Sequence, residues 1–221
     1  MRRKFDSGLL PKSPNLEFEN YLWRKGLRVV TGLDEAGRGA LAGPLYGAAV
    51  VLPCEMSEAT QKLLSGVRDS KQLSAKQRDV AAIVVKQAVC EWSVGVVEAA
   101  EIDELGMGRA GRLVFRRALD GLGIKPEHLL IDYFSVPEIM IEQTALVKGD
   151  QRSLSIACAS ILAKTARDQR MRELAGNYPQ YRFDLNKGYA TRGHRAALAK
   201  FGACPEHRKS FQLWKLQDAL F

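Results

Sequence analysis

Four carboxylates of this 221-residue sequence stand at the ends of predicted strands or just after them, where α/β proteins commonly place functional side chains. Asp34 and Glu35 follow a β-rich run, Asp132 ends a short apolar run, and Asp150 precedes a predicted helix. Carboxylates that lie together repel one another, which raises their pKa values unless a cation lies between them. Oxygen ligands without histidine or cysteine suit Mg²⁺ or Mn²⁺ rather than zinc, and two such ions about 4 Å apart stabilise the attacking and leaving oxygens of phosphoryl transfer.

The same carboxylates also have a structural interpretation, as helix caps and surface charges. It applies most strongly to Asp150, a candidate N-cap for a helix beginning near Ser153, and least to Asp132 at the end of an apolar strand. The residue types and their spacing alone leave the metal site and this structural interpretation open.

Asp34 and Glu35 impose a geometric condition, because neighbouring residues on a regular strand face opposite ways. For both to share a site, the strand must end there and the following loop must turn Glu35 back. Gly37 and Gly39 make such a turn feasible, since glycine adopts backbone conformations closed to other residues.

The elements that must position these residues alternate along the chain. Strands are predicted over residues 27–33, 45–52, 89–98, 128–132 and 145–148. Helices are predicted over residues 74–88, 101–119, 153–174 and 191–201, the first opened by a capping box from Ser74 to Gln77. This alternation predicts an α/β fold in which helices flank a mixed central β-sheet. Residues 1–25 are interpreted as a tail and a short helix, and residues 26–221 as one catalytic domain.

Composition excludes several classes of protein. Hydrophobic residues make up 46% and charged residues 26% of the chain, which is unlike a collagen-like or largely disordered protein. No apolar stretch is long enough to span a membrane, and the basic N-terminus lacks an apolar signal core, so we expect a cytoplasmic protein. The four cysteines and three histidines show no zinc-binding spacing, and buried free thiols are expected.

The net charge of +8 is unevenly placed. Residues 1–150 hold 20 basic and 20 acidic side chains, whereas residues 151–221 hold 13 basic and 5 acidic ones. Such a basic segment favours a polyanionic partner, most often nucleic acid, although a simple basic surface explains the charge equally well.

A series of motifs resembles the type 2 ribonucleases H, and specifically the ribonuclease HII family. The first is Gly32-Leu33-Asp34-Glu35-Ala36-Gly37-Arg38-Gly39, which is similar to the family signature G-[VL]-D-E-A-G-R-G. The blocks that follow in family order are LAGP at 41–44, DSKQLS at 69–74, LID at 130–132, KGD at 148–150, SIACASILAK at 155–164, RD at 167–168, YPQY at 178–181, KGYAT at 187–191 and HRKSF at 207–211. The sibling ribonuclease HIII usually shows D-E-S-G-K-G and an extra N-terminal domain, so Ala36, Arg38 and the short segment before Asp34 favour HII.

The resemblance implies an RNase H-like fold with a C-terminal helical extension over about residues 176–221. It implies hydrolysis of the RNA strand of RNA–DNA hybrids and incision of duplex DNA 5′ of embedded ribonucleotides. The implied catalytic site holds two Mg²⁺ or Mn²⁺ ions on Asp34, Glu35, Asp132 and Asp150, with Asp34 bridging both. The ions would activate a water for in-line attack and stabilise the leaving 3′ oxygen, leaving 5′-phosphate and 3′-hydroxyl ends.

The resemblance also implies how the substrate is recognised. Only the 2′-hydroxyl separates RNA from DNA at one nucleotide, and backbone groups of Gly37, Arg38 and Gly39 are expected to approach it. Tyr189 resembles the family tyrosine that stacks on the following deoxyribose and hydrogen-bonds the 2′-hydroxyl, whereas its structural interpretation is a half-buried core tyrosine. The candidate phosphate contacts are Arg38, Ser70, Lys71 and Lys164.

Three departures from the family pattern leave the predicted metal ligands untouched. Tyr133 follows Asp132 where glycine is usual, Asn186 replaces a frequent histidine, and Gly106 stands where asparagine is common. The alternative hypothesis is a nucleic-acid-binding protein of this fold that has lost catalysis. A phosphotransferase acting on small metabolites is disfavoured because no P-loop or dinucleotide motif is present. We expect a monomer that does not bind membranes.

Overall fold

A five-stranded sheet forms the centre of the computed structural model, which describes residues 6, 8, 10–68 and 70–211. Its strands are β1 (Val30–Ala36), β2 (Leu45–Val51), β3 (Glu91–Val97), β4 (His128–Asp132) and β5 (Glu142–Leu146). Their order across the sheet is β3-β2-β1-β4-β5. The β1–β2 and β2–β3 pairs are antiparallel, whereas β1–β4 and β4–β5 are parallel. The predicted mixed sheet is therefore confirmed.

Helices cover both faces of this sheet. The α-helices in the described part of the chain are α1 (Glu17–Arg24), α2 (Glu58–Leu64), α3 (Ala75–Ala88), α4 (Ala99–Asp120), α5 (Leu154–Asn177), α6 (Phe183–Asn186) and α7 (Arg192–Phe201). The predicted capping box is present at the start of α3, where Gln77 N–H donates to the Ser74 hydroxyl and Ser74 N–H donates to the Gln77 side chain. Within the residues that the structure describes, every helix is too short or too polar to cross a membrane.

Two apolar clusters divide the core into layers. On one face, α3 and α5 pack on β2 through small residues such as Ala157 and Ala48. On the other face, α4 packs on the sheet through Val114 and Phe115. Helix α5 approaches β1 closely because a Cβ on Gly32 would overlap the backbone of Ser155. The motif glycine at 32 thus brings the N-terminal half of α5 against β1.

The C-terminal region packs against the far end of α5. Met171 and Leu174 of α5 form a buried cluster with Tyr181 and Phe183, and Ala42 from the loop after β1 joins it. The helical C-terminal region is thereby held against the loop that follows the first strand. Residues 212–221, the end of the predicted extension, lie outside the described residues.

Three expectations from the sequence are wrong in detail. The first strand begins and ends three residues later than predicted and includes Asp34 and Glu35, because its pairing with β2 continues to Ala36↔Tyr46. The last strand ends at Leu146 rather than at residue 148. All four cysteines are free, as expected, but only Cys158 and Cys204 are buried, whereas Cys54 is half-buried and Cys90 is exposed.

Candidate active site

A cavity of about 250 Å³ lies at the edge of the sheet where β1 and β4 separate. It is lined by Asp34, Glu35, Ala36, Gly37, Arg38, Gly39, Ser70, Lys71, Asp132, Ser160, Lys164 and Tyr189. A larger cleft of about 700 Å³ near α2 and α3 has a mainly apolar lining without any carboxylate. The smaller cavity is therefore where acidic and basic side chains meet.

Asp34 and Glu35 both line the cavity although they are neighbours inside β1. The parallel ladder between β1 and β4 ends at Leu33↔Ile131, so β1 has an open edge from Asp34 onward. Asp34 is 5% exposed and accepts a hydrogen bond from the Glu35 N–H at 2.7 Å. The condition that the strand must end at Asp34 was wrong, because separation of the neighbouring strand provides the opening instead.

Asp132 lies at the end of β4, beside this open edge. Its Oδ1 accepts a hydrogen bond from the Gly149 N–H at 2.7 Å, which ties it to the turn before α5. The next residue, Tyr133, has φ 70°, a left-handed conformation that favours glycine. Tyr133 thus holds a strained conformation beside the site, while its N–H donates to Leu146 O of β5 at 2.8 Å.

Asp150 lies behind the cavity wall rather than on its lining. It is buried in the turn Gly149–Gln151, and its carboxylate forms an ion pair with Lys71 Nζ at 3.2 Å. The N-cap of α5 is Ser153, whose hydroxyl accepts from the Ile156 N–H. The interpretation of Asp150 as the cap of that helix is therefore wrong.

Burial and mutual repulsion make the carboxylates hard to ionise together. Burial, followed by the charges of Glu35 and Asp132, raises the pKa of Asp34 well above its usual value. Burial also raises the pKa of Glu35, although nearby Arg38 opposes this change. Burial and then the charge of Asp150 raise the pKa of Asp132 to about 6. Arg38 and Lys71 form ion pairs with Glu35 and Asp150, so within the described residues Asp34 and Asp132 are the carboxylates of the site without an ion pair.

The donor chemistry of this cluster fits a hard divalent cation. All four side chains offer oxygen atoms, and a cation would relieve the repulsion that raises the pKa values of Asp34, Glu35 and Asp132. Within the described residues, no three acidic, histidine or cysteine side chains are arranged to enclose an ion. In proteins, Mg²⁺ is commonly held by one or two carboxylates, with water and substrate phosphate as further ligands.

The glycine loop and Tyr189 also line the cavity. Tyr189 is half-buried, and its ring lies 5.3 Å from the Arg167 guanidinium carbon and 5.6 Å from Lys164 Nζ. Arg38 lies 4.8 Å from the ring of Phe134 and 3.5 Å from the Glu35 carboxylate. The sequence-predicted loop and tyrosine are therefore brought to the same cavity as the carboxylates.

The candidate phosphate contacts differ in exposure. The Lys71 side chain is 75% exposed beside Asp150, whereas Lys164 is largely buried and donates to Asp168 at 2.6 Å. Ser70 is buried and shares a hydrogen bond of 2.9 Å with Ser160. Of these residues, Lys71 therefore presents the most accessible positive charge.

Sequence reasoning gave no role to Ser160 or Phe134, which respectively line the cavity and support Arg38. Ser160 lies four residues before Lys164 on α5, so helical spacing was a usable signal. The stacking of Phe134 on Arg38 depends on the path of the chain after β4, for which the sequence contains no comparable signal.

Two buried histidines fix the backbone of Tyr189. Because a carbonyl only accepts, His194 Nδ1 carries the proton and donates to Tyr189 O at 2.9 Å. His194 Nε2 then accepts from His207 Nε2–H at 3.0 Å, and His207 Nδ1 accepts from the Cys204 N–H. Burial, with repulsion from His194, lowers the pKa of His207 to about 4. This chain of neutral rings connects the C-terminal region to the cavity.

The sequence and the fold are both similar to those of known ribonucleases H. A family profile described as Ribonuclease HII matches residues 31–214. A ribonuclease HII from Synechococcus sp. (strain JA-3-3Ab) is 48% identical over 198 residues, which are 90% of this chain and 88% of that protein. The crystal structure of ribonuclease H2 from Pyrococcus horikoshii OT3 matches with a TM-score of 0.71 at 26% identity, over 86% of this chain and 97% of that one. The crystal structure of Bst-RNase HIII in complex with Mn²⁺ shares the fold, with a TM-score of 0.70 at 23% identity over 87% of this chain and 70% of that one.

Proposed function

The chain belongs to the ribonuclease HII family and is a ribonuclease H, and we propose that its cavity also incises duplex DNA 5′ of single embedded ribonucleotides. The observation that carries this proposal is the convergence of Asp34, Glu35 and Asp132 with the glycine loop and Tyr189 around one cavity. The carboxylates supply the chemistry of phosphodiester hydrolysis. The loop and the tyrosine supply groups for reading a single ribose.

We propose that Asp34, Glu35, Asp132 and Asp150 together hold two divalent ions, Mg²⁺ or Mn²⁺. Asp34 has the central position, because the charges of the other three carboxylates act on it or on its immediate neighbour. When bound, such ions lower the pKa of a coordinated water and stabilise charge on phosphoryl oxygens. The raised carboxylate pKa values support this assignment, since a cation removes their cause.

The remaining residues of the cavity orient the nucleic acid. Lys71 and Lys164 are proposed to contact phosphates, because both line the cavity and carry positive charge. Arg38 stacks on Phe134, which limits its side-chain freedom and directs it towards the substrate backbone. Ser70 is proposed to contact the same phosphate path from the cavity wall that it shares with Ser160.

Recognition of the ribose is assigned to the glycine loop and Tyr189. The N–H groups of the segment 37–39 are small donors that approach a 2′-hydroxyl without side-chain obstruction. The half-buried ring of Tyr189 offers a flat face for the sugar of the following nucleotide. A deoxyribonucleotide would leave these donors without a partner, which is the physical basis for discrimination against DNA.

The test is cleavage of two end-labelled substrates, a long RNA–DNA hybrid and a DNA duplex containing one ribonucleotide, with Mg²⁺ or Mn²⁺ present. We expect the native protein to cut both and to leave 3′-hydroxyl and 5′-phosphate ends. Asp34→Asn is expected to reduce kcat/KM by about a thousandfold, which corresponds to ~4 kcal/mol of transition-state stabilisation. Asp120→Asn, on the exposed end of α4, is the matched control and is expected to retain full activity.

Two results would contradict this assignment. Native protein that cuts the hybrid but leaves the single-ribonucleotide duplex intact would restrict the activity to hybrids. A folded Asp34→Asn variant with native activity would remove Asp34 from the reaction. Binding without any turnover by the native protein would instead support the alternative of an inactive nucleic-acid-binding protein.

A further inference from the structure

Two arginines are completely buried next to the glycine loop of the cavity, and both direct their guanidinium groups at backbone carbonyls. Arg167 comes from the middle of α5, and Arg208 comes from the segment after α7. Among the described residues, neither forms an ion pair with a carboxylate. Burying a cation is costly unless hydrogen bonds compensate, so the carbonyls that these groups bind are the key to their role.

Arg208 binds three carbonyls of the loop between β1 and β2. Its Nη1 donates to Gly37 O at 2.7 Å and to Arg38 O at 3.1 Å, and its Nε donates to Gly43 O at 2.9 Å. Its backbone N–H donates to Leu41 O at 2.8 Å. One residue from the C-terminal region therefore holds the loop at both of its ends.

Because the peptide bond is planar, the direction of each bound carbonyl also sets the direction of the N–H group of the next residue. In a trans peptide, the C=O of one residue and the N–H of the next point opposite ways. Because Gly37 O and Arg38 O both point at Arg208, the N–H groups of Arg38 and Gly39 point away from it. Within the described part of the chain, those two N–H groups have no hydrogen-bond acceptor, and both residues line the cavity.

Arg167 fixes the other end of the same wall. Its three nitrogens donate to Pro44 O at 2.9 Å, Ala42 O at 3.1 Å and Lys187 O at 2.9 Å. A Cβ on Gly37, which has φ 99°, would overlap the Arg167 side chain. The loop therefore lies directly against both guanidinium groups, and repulsion between them adds to burial in lowering the pKa of Arg208 to about 9. Both groups are cationic at neutral pH.

We propose that Arg208 is a positioning residue that determines ribonucleotide specificity, because its guanidinium aims the N–H groups of Arg38 and Gly39 into the cavity. The inference rests on the proposed function, since those N–H groups are assigned to the ribose. Arg208 itself lies behind the loop and touches no substrate.

A lysine at position 208 cannot make the same set of hydrogen bonds to the loop carbonyls. A guanidinium presents several N–H donors in a rigid plane, whereas an ammonium is a compact charge on a flexible stem. In Arg208→Lys, the charge remains but the Arg38 carbonyl loses its donor and the Gly37 carbonyl keeps only the Ala40 N–H at 3.2 Å, so both peptide planes are held less firmly. The variant should thus keep general attraction for duplex DNA and lose preference for the ribonucleotide.

The experiment measures the ratio of two affinities in an Asp34→Asn background that prevents turnover. The probes are one duplex with a single ribonucleotide and the same duplex made entirely of DNA. Because both affinities come from the same sample, an inactive fraction cancels from their ratio. We expect Arg208→Lys to lower this ratio about tenfold or more, while affinity for the all-DNA duplex stays within about twofold.

Arg117→Lys is the matched control. Arg117 on α4 also donates to a backbone carbonyl, that of Val96, and pairs with Glu101 outside the cavity. Its substitution is expected to leave the affinity ratio unchanged. An unchanged ratio in Arg208→Lys, or an equal loss of affinity for both duplexes, would overturn the proposed role of Arg208.

A second measurement covers the case in which Arg208 variants do not fold. In the Asp34→Asn protein, the Arg38 and Gly39 amides should become at least about tenfold slower in hydrogen exchange on binding the ribonucleotide duplex, and not on binding the all-DNA duplex. Equal protection by both duplexes would also overturn the proposal. If the native enzyme fails to cut the single-ribonucleotide duplex, the proposed function fails first, independently of Arg208.

Discussion

Burial shifts the pKa values of two clusters of ionisable groups in opposite directions, one at the cavity and one behind the Tyr189 backbone. The acidic cluster consists of Asp34, Glu35, Asp132 and Asp150, and burial with mutual repulsion raises the pKa of its members at the cavity. The histidine pair consists of His194 and His207, and burial lowers the pKa of both rings. The acidic cluster therefore holds more carboxylates than Arg38 and Lys71 pair with, whereas the histidine pair is neutral.

The difference lies in how each cluster is satisfied. The nitrogens of the histidine pair are used within the protein, between Cys204 and Tyr189. Asp34 accepts from the Glu35 N–H and the Ser160 hydroxyl, and Asp132 accepts from the Gly149 and Asp150 N–H groups, yet both carboxylates also line the cavity and repel each other. Buried polar groups that are fully paired stabilise a fold, whereas a repelling cluster beside a cavity is arranged for a ligand. The carboxylate side of the cavity is therefore arranged to bind a ligand, whereas the histidine pair fixes the backbone of Tyr189 on the cavity lining.

The strongest test of this contrast is the response of metal-free protein to divalent ions at two pH values. The pKa of Asp132 is raised to about 6 in the folded state, so the folded protein binds protons more tightly than the unfolded chain. Its contribution to stability therefore falls as pH rises from about 4 to about 6, by a cost on the order of 1–3 kcal/mol. Mn²⁺ at a hundredfold excess over Kd is expected to add about 3 kcal/mol at pH 7.5 and much less at pH 5, where protons compete.

Thermal unfolding after chelation, with and without added Mn²⁺, measures this response. Asp132→Asn is expected to lose the part of this pH dependence that Asp132 contributes and most of the metal effect, while Asp120→Asn should behave as the native protein does. Equal stabilisation by Mn²⁺ at both pH values would contradict this prediction, because Mn²⁺ would then not compete with protons for the acidic cluster.

The histidine pair should respond to pH in the opposite sense. Since folding lowers the pKa of His207 from 6.5 to about 4, its stabilising effect is present at neutral pH and is lost as pH falls through that range. His207→Phe keeps a ring of similar size but leaves the Cys204 N–H and His194 Nε2 without their partner, so it is expected to destabilise the protein by about 2 kcal/mol at pH 7.5.

Urea unfolding at pH 7.5 and pH 5 checks this second prediction. The native protein should lose stability relative to His207→Phe as the pH is lowered, so the gap between the two should narrow. If the difference in unfolding free energy between the two proteins is constant with pH, protonation of His207 does not break its hydrogen bonds to His194 and Cys204. The acidic cluster and the histidine pair would then not differ in the direction in which pH changes the stability of the protein.

The sequence alone predicts the carboxylates of the cavity better than the contacts that hold its glycine loop in place. The capping box at Ser74, the mixed sheet and the place of Asp132 at a strand end follow from local pattern, and all three are present. The end of β1 could not be predicted, because pairing with β2 carries the strand through Asp34 after β4 has separated. The place of Arg208 could not be predicted either, since a buried guanidinium that binds loop carbonyls depends on contacts between residues about 170 positions apart.

The smallest expected effect concerns the positive charge of the C-terminal region, which should affect binding without affecting the metal site. Arg192 is exposed on the first turn of α7, and Arg195 is partly buried one turn further on. Neutralising both as Arg192→Gln/Arg195→Gln should weaken duplex binding and reduce the slope of log K against log salt by about 2, if each arginine contacts one phosphate. The Mn²⁺-induced thermal shift should stay unchanged.

The matched control removes two exposed cations from the charge-balanced part of the chain, as Lys62→Gln/Lys76→Gln on α2 and α3. Salt titrations of binding to the same duplex compare the two pairs. If the control pair reduces the slope as much as the α7 pair does, attraction for the duplex is a property of net charge alone. If only the α7 pair reduces the slope, the basic C-terminal region contacts the phosphate backbone directly. The region that holds Tyr189 in place then also extends the binding surface for the duplex.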